Sequence, residues 1–200
     1  MSTAPLPLDG RTLRAARNRD AVVRAILDLY AEGDLRPGAA AIATRAGVSQ
    51  SSVFRHFKDI EALVEAAIEM QWELHHEDFA PPAPAGTRTE RVAALVEQRV
   101  ALYDAVGNAS RAARVNFPES PTLGRMLELR RALLRDQVAE QFAAELARRD
   151  GAAREVLLDA LDAACSLEQF EYLRIDRGLP RDAVRAVVTT TLTALLRKGS

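Results

Sequence analysis

Ile42-Ala43-Thr44-Arg45-Ala46-Gly47-Val48-Ser49-Gln50-Ser51-Ser52-Val53-Phe54-Arg55-His56-Phe57 is the stretch whose reading decides the fold. It reads as two short helices joined by a tight turn. Ile42 and Ala43 give the first helix an apolar face. Gly47 admits the left-handed backbone that such a turn needs. Val48 anchors the turn, and Ser49 is a good N-cap for a second helix from Gln50 to His56. Val53 and Phe57 stand four residues apart and bury that helix's inner face. Gln50, Ser51, Ser52 and Arg55 are left outward, near the N-terminal end that a recognition helix presents to a major groove. Gln can read adenine bidentately, Arg can read guanine, and Ser can reach bases or phosphates. Thr44, Arg45, Ser49, Phe54, His56 and Lys58 complete the expected DNA-binding face. A helical hairpin with an ordinary polar face would show the same pattern.

Working outward, Val22, Val23, Ile26, Leu27 and Tyr30 form the apolar stripe of a helix from about Arg17 to Glu32, closed by Gly33. Pro37-Gly38 opens the short helix that ends at Arg45. Asp59 caps a long fourth helix to about Asp78. Pro81-Pro82-Ala83-Pro84-Ala85-Gly86 reads as a loop. Further helices are expected over about 87–106, 107–117, 121–149, 152–177 and 181–197, with Pro118, Gly151 and Gly178 as breaks. The fold class is therefore all-α, with about nine helices and no sheet. Residues 1–58 make an N-terminal arm and a three-helix DNA-binding domain. Residues 59–200 make a helical ligand-binding and dimerisation domain.

Charge supports this division. The chain has 200 residues and a net charge of -1. Yet Arg11 to Lys58 holds nine basic and four acidic residues, which leaves the remainder acidic. A basic head on an acidic body is an electrostatic footprint for a polyanion. Arg11, Arg14, Arg17 and Arg19 form an arm that could reach the DNA backbone or minor groove; a solvated tail is the plainer reading. Cys165 is the lone cysteine, so no intrachain disulfide is possible and a reducing cytoplasm is expected. No stretch approaches the roughly 20 apolar residues of a membrane span.

An enzyme is not expected. There is no nucleophile elbow, no phosphate-cradling glycine loop, and no C-x-x-C or H-E-x-x-H pair. Glu69, Glu73 and His76 could share one helix face as metal ligands, but a solvated face is far commoner, so neither a metal nor a cofactor is assigned. Cys165 reads more readily as a small buried hydrophobe than as a redox sensor.

Three segments match one family pattern: Ala31-Glu32-Gly33; then Ile42-Ala43-x-x-Ala46-Gly47-Val48-Ser49; then Val53-Phe54-x-His56-Phe57-x-Asp59-x-Glu61-Ala62-Leu63. They closely resemble the TetR (tetracycline repressor) family over roughly residues 20 to 65. The resemblance implies a DNA-binding regulator, a ligand-sensing helical domain, and a homodimer held by the last two helices. Three departures stand out. The family usually has Tyr where Phe54 stands, often Lys where Ile60 stands, and often Thr at the start of the helix opened here by Pro37-Gly38-Ala39. Each change removes a phosphate-positioning contact rather than base readout.

The C-terminal part adds two expectations. The last helices carry apolar residues on several sides, which suggests burial against a partner copy as well as their own domain. The expected interface residues are Ala160, Ala164, Leu167, Phe170, Val184, Val188 and Leu192. The resemblance also implies an effector pocket inside the bundle. Trp72, Phe79, Tyr103 and Phe117 are its candidate lining, with Arg99, Arg114 and Glu168 as polar anchors. The effector so implied is small and mostly apolar, with one anionic group for an arginine. The alternative function class is a helical protein-interaction module with a vestigial helix-turn-helix.

Overall fold

Helix α1 (Gly10–Ala31) opens the computed structural model, which describes residues 10–197. It is followed by α2 (Ala39–Ala46), α3 (Gln50–His56) and α4 (Ile60–His75), then a single 3₁₀ turn at His76–Phe79. Next come α5 (Arg88–Asn116), α6 (Pro121–Gln141), α7 (Ala143–Leu146), α8 (Gly151–Ala164), α9 (Leu167–Glu171) and α10 (Arg181–Leu195). A π-helical turn at Tyr172–Asp176 extends α9. No strand occurs among the described residues, so the fold is all-α.

The chain divides into two compact units. One runs to Glu73 and takes in Asn108–Leu123; the other comprises Leu74–Gly107 and Gly124 onward. The helix-turn-helix lies wholly within the first, which extends past the expected boundary at residue 58. In that unit α1 packs on α2 and α3. Val22, Val23, Ile26, Ile42, Val53 and Leu63 are at most 1% exposed. In the second unit, Val92, Leu95, Val96 and Val100 of α5 meet Val138, Phe142, Leu146, Leu158, Leu161, Val184 and Leu192 in one apolar core.

Helix α1 starts at Gly10, seven residues before the expected Arg17, and three further helix boundaries differ from the sequence reading. Gly107 was expected to separate two helices, yet α5 runs straight through it for 29 residues. A side chain there would meet Leu167 Cδ1 at 3.5 Å, an ordinary contact, so the glycine is simply tolerated inside a long helix at a cost of about 1 kcal/mol. The segment 121–149 breaks at Phe142, whose ring is fully buried while its backbone leaves the helical region (φ −117°, ψ 25°). The segment 152–177 breaks at Cys165 and Ser166. There the Ser166 side chain accepts the Gln169 N–H at 3.1 Å and starts α9. The Tyr103 hydroxyl donates to the Cys165 carbonyl at 2.7 Å. A buried carbonyl at a helix break is thus satisfied from another helix, as a buried peptide group must be.

One charged pair is built into the second unit. Arg91 on α5 donates to both Glu145 oxygens, at 2.6 and 3.0 Å, and to the Gln141 carbonyl at 2.6 Å. Both side chains are nearly buried. Burial pushes the Glu145 carboxyl up, but the hydrogen bonds and charge of Arg91 outweigh that and hold it below its ordinary range. Because the folded pKa is depressed, the pair stabilises at neutral pH, and that contribution is lost as pH falls below the usual carboxylate range. Glu145→Ala strands the Arg91 guanidinium and should destabilise the fold by about 3–5 kcal/mol. Urea denaturation at neutral pH checks this. The gap between wild type and Glu145→Ala should hold at higher pH and narrow as pH falls below about 4.5; a gap that stays constant well below that pH would contradict the assignment.

Candidate nucleic-acid interface

The turn between α2 and α3 is set by Gly47, which adopts the left-handed conformation (φ 68°, ψ 29°) and ties back to the carbonyls of α2. Ser49 then caps α3: its side chain accepts the Ser52 N–H at 3.2 Å. Val53 and Phe57 are buried at 1% and 4% exposure, so α3 can present only its other face. That face carries Gln50, Ser51 and Arg55, all exposed, with Ser52 partly so. Arg55 Nη2 donates to Ser52 Oγ at 3.0 Å, and the Ser49 hydroxyl lies 2.9 Å from Ser51 and 3.0 Å from Ser52. A loose hydroxyl network thus orders the Arg55 guanidinium before any ligand arrives.

The other expected DNA residues fall into different roles. Arg17, Thr44 and Lys58 are exposed. Phe54 is half exposed, at 51%; an aromatic ring left in water at this place is one that a polyanion's backbone could cover. His56 is partly buried. Arg45 is engaged elsewhere: it grips Glu32 bidentately at 3.0 and 2.7 Å. That hydrogen bond holds the Glu32 carboxyl below its ordinary range. Arg45 is therefore first a tie between α1 and α2. Arg14 and Arg19 of the arm are exposed on α1, and Arg19 lies over the Phe57 ring at 5.0 Å from its centre. The Arg11 side chain is outside the described residues.

Two contacts had no local sequence signal. Arg36 Nε donates to Asn116 Oδ1, and Asn116 Nδ2 donates to the Leu35 carbonyl, both at 2.5 Å. They pin the loop before α2 to the last residue of α5, about 80 positions away in sequence.

The expected effector residues divide between the units. Phe79 and Tyr103 share a cluster with Leu102 and Val106, bordered by Leu134, Leu167 and Phe170. Arg99 is buried close by. Glu168 is exposed and pairs with Arg131 at 2.7 Å. Trp72, Arg114 and Phe117 belong to the first unit, and Trp72 is 38% exposed. Of the expected interface residues, Val184, Val188 and Leu192 are taken up by the chain's own core, and Leu167 and Phe170 pack at its edge. Ala160 and Ala164 line a groove with Ala163, Val187, Thr191, Leu195 and Val188, the last of which borders core and groove alike. Among the described residues no three His, Cys, Asp or Glu side chains gather as a metal site requires; His75 pairs with Asp78. No described helix is long and apolar enough to cross a membrane. Burial pushes the Cys165 thiol up to about 12, so it stays protonated and unreactive at neutral pH.

Residues 22–67 match the family described as bacterial regulatory proteins, tetR family. The fold matches solved structures over most of the chain. A tetR-family transcriptional regulator from Streptomyces coelicolor is 21% identical, with 89% of this chain and 79% of that one covered and a TM-score of 0.69. A transcriptional regulator from Rhodococcus sp. Rha1 is 17% identical, covering 89% and 95%, also with a TM-score of 0.69. The regulator FadR from Bacillus subtilis, solved with stearoyl-CoA, is 17% identical, covering 90% and 97%, with a TM-score of 0.56. No curated protein sequence matches the chain significantly. Residues 22–67 are thus similar to the tetR-family model, and the chain as a whole has the fold of the transcriptional regulators it matches.

The cap and the reading residue should separate in experiment. Ser49→Ala should cost about 1 kcal/mol of stability through loss of the cap. Gln50→Ala should leave stability unchanged, weaken binding to a specific operator by about 1–3 kcal/mol, and weaken random DNA far less. Parallel fluorescence-anisotropy titrations on the two DNAs check this; equal losses would make Gln50 a positioning residue only.

Proposed function

We propose that this chain, with its tetR-family DNA-binding domain, is a ligand-responsive transcriptional repressor that binds palindromic operator DNA as a homodimer. The observation that carries the reading is α3: capped by Ser49, its apolar side buried, its polar side exposed and containing Gln50 and Arg55. A seven-residue helix with that division has an outward face suited to a groove. Phosphate contacts would come from Arg17, Thr44, Lys58 and the arginines of α1, with Phe54 against the sugar-phosphate backbone.

Dimerisation is supported by the groove along α8 and α10, where Ala160, Ala163, Ala164, Val187, Thr191 and Leu195 remain available after the core is formed. Small residues allow helices of two copies to approach closely. A two-fold dimer would present its recognition helices to successive major grooves about 34–36 Å apart.

The effector is read as a small, mostly apolar molecule held in the second unit, and its binding would favour a dimer that no longer fits the operator. FadR's complex with stearoyl-CoA is one instance of a protein of this fold holding an amphipathic ligand. The route we favour passes along α5, which ends in the Asn116 clamp on Arg36 and Leu35 beside the helix-turn-helix. A tenfold loss of operator affinity needs only about 1.4 kcal/mol of differential binding.

Mobility shifts with the DNA upstream of the chain's own gene test the reading. A sequence-specific shift that weakens steeply with salt is expected. No shift at micromolar protein would favour the protein-interaction alternative. Sedimentation should show a dimer, and Val187→Glu should give monomers that lose operator binding together with self-association. Asn116→Ala should keep operator binding but blunt its release by an effector; unchanged release would exclude this clamp from the route.

A further inference from the structure

Arg99 sits on α5 at 3% exposure. Its Nη1 donates to the side-chain oxygens of Gln98 and Gln137, the latter at 2.9 Å, and Nη2 donates to the Leu134 carbonyl at 2.8 Å. Every one of these acceptors is neutral. Among the described residues no carboxylate lies within ion-pair distance of it, and its Nε is buried with no acceptor. Asp162 feels the Arg99 charge without pairing to it. Eight residues earlier on the same helix, Arg91 shows the contrast: less deeply buried, it nevertheless grips Glu145 with both amino groups. Gln137 is itself fixed by donating to the Phe79 carbonyl at 2.5 Å, so the guanidinium is held in place by neighbours that do not neutralise it.

A buried cation without a counter-charge is costly, and arginine cannot shed its proton to escape that cost. A guanidinium has five N–H donors. Three are used here, which leaves Nε–H and one Nη2–H. These are adjacent nitrogens, and the pair matches the two oxygens of a planar oxyanion. The same side chain borders a cavity of about 10 Å³ whose walls include Val96, Val100, Tyr103, Phe170 and Val188. That space admits no more than a water, so an occupant must widen it. Phe170 lies on the five-residue α9, between the break at Ser166 and the π-helical turn, where the backbone ladder is least regular.

The geometry points to Arg99 as the anchor for a carboxylate on the effector, so that the second unit takes compact, apolar monocarboxylates. A single free donor pair in apolar walls suits one negative charge; a phosphate dianion would leave its second charge unpaired. This rests on the ligand-responsive reading above and names the ligand class for it.

The test compares acids with their own alcohols on the full-length wild type: octanoate against octanol, and phenylbutyrate against phenylbutanol, by calorimetry and thermal shift. At least one acid should bind about tenfold or more tightly than its alcohol. Arg99→Met should erase that preference while keeping alcohol binding within about threefold. If neither acid outbinds its alcohol in the wild type, the proposal fails. It also fails if Arg99→Met keeps the preference. Should that variant not fold, the wild-type comparison still decides. Acid preference together with no operator binding would refute the regulatory reading and leave the anion site standing.

Discussion

Helix α3 has seven residues, fewer than a helix needs to persist alone in water. Its existence depends on the burial of Val53 and Phe57 beneath it. Each such side chain contributes about 1.5–3 kcal/mol when withdrawn from water, which is enough to hold a short helix that propensity cannot. The same burial decides which residues face outward. Once Val53 and Phe57 point in, Gln50 and Arg55 have no choice but to point out. The cap at Ser49 and the left-handed Gly47 set where α3 starts, and the bidentate Arg45–Glu32 tie joins α2 to the helix on which both rest. Recognition geometry here is a by-product of core formation.

The second unit treats its polar interior differently. Its core is aliphatic, yet α5 sends two arginines into it. Arg91 meets a carboxylate, two backbone-linked glutamine contacts and the Phe142 ring, and so contributes to holding α5, α6 and α7 in register. Arg99 meets only neutral acceptors. Two cations on one helix, one paired with a carboxylate and one with neutral groups alone, set a structural ion pair beside the anion site proposed above. In the ligand-responsive reading, such a place would be one whose unliganded state is unfavourable enough that occupancy changes the balance between conformations.

Sequence reading went furthest where function is written in consecutive residues. Gly47, Ser49, Val53 and Phe57 are a local code, since turn, cap and helix period all act within a few residues, and the outward face of α3 could be named from them. The ion pair of Arg45 with Glu32, thirteen residues back, had no such local signal. Sequence reading could assign Arg99 a polar role but not distinguish it from Arg114 or Glu168, because the difference lies in what surrounds each side chain.

The chain by itself determined that the described elements are helical, that a basic head holds a helix-turn-helix pattern, and that the last helices have more apolar surface than one face can use. Those properties follow from residue type and period, which need no partner in space. Tertiary structure decided the rest. Gly107 became helix interior, where a side chain would meet Leu167 at ordinary contact distance. The chain broke at Cys165 because Ser166 could cap a new helix and Tyr103 could satisfy the freed carbonyl. Val184 and Leu192 went to the chain's own core, Val188 and Leu195 border both core and groove, and Val187 and Thr191 stayed outside. The reason is common to all three: a glycine's contact, a carbonyl's donor and the side of a helix that is covered are fixed by residues dozens of positions away, and proximity of that kind is created only when the chain folds.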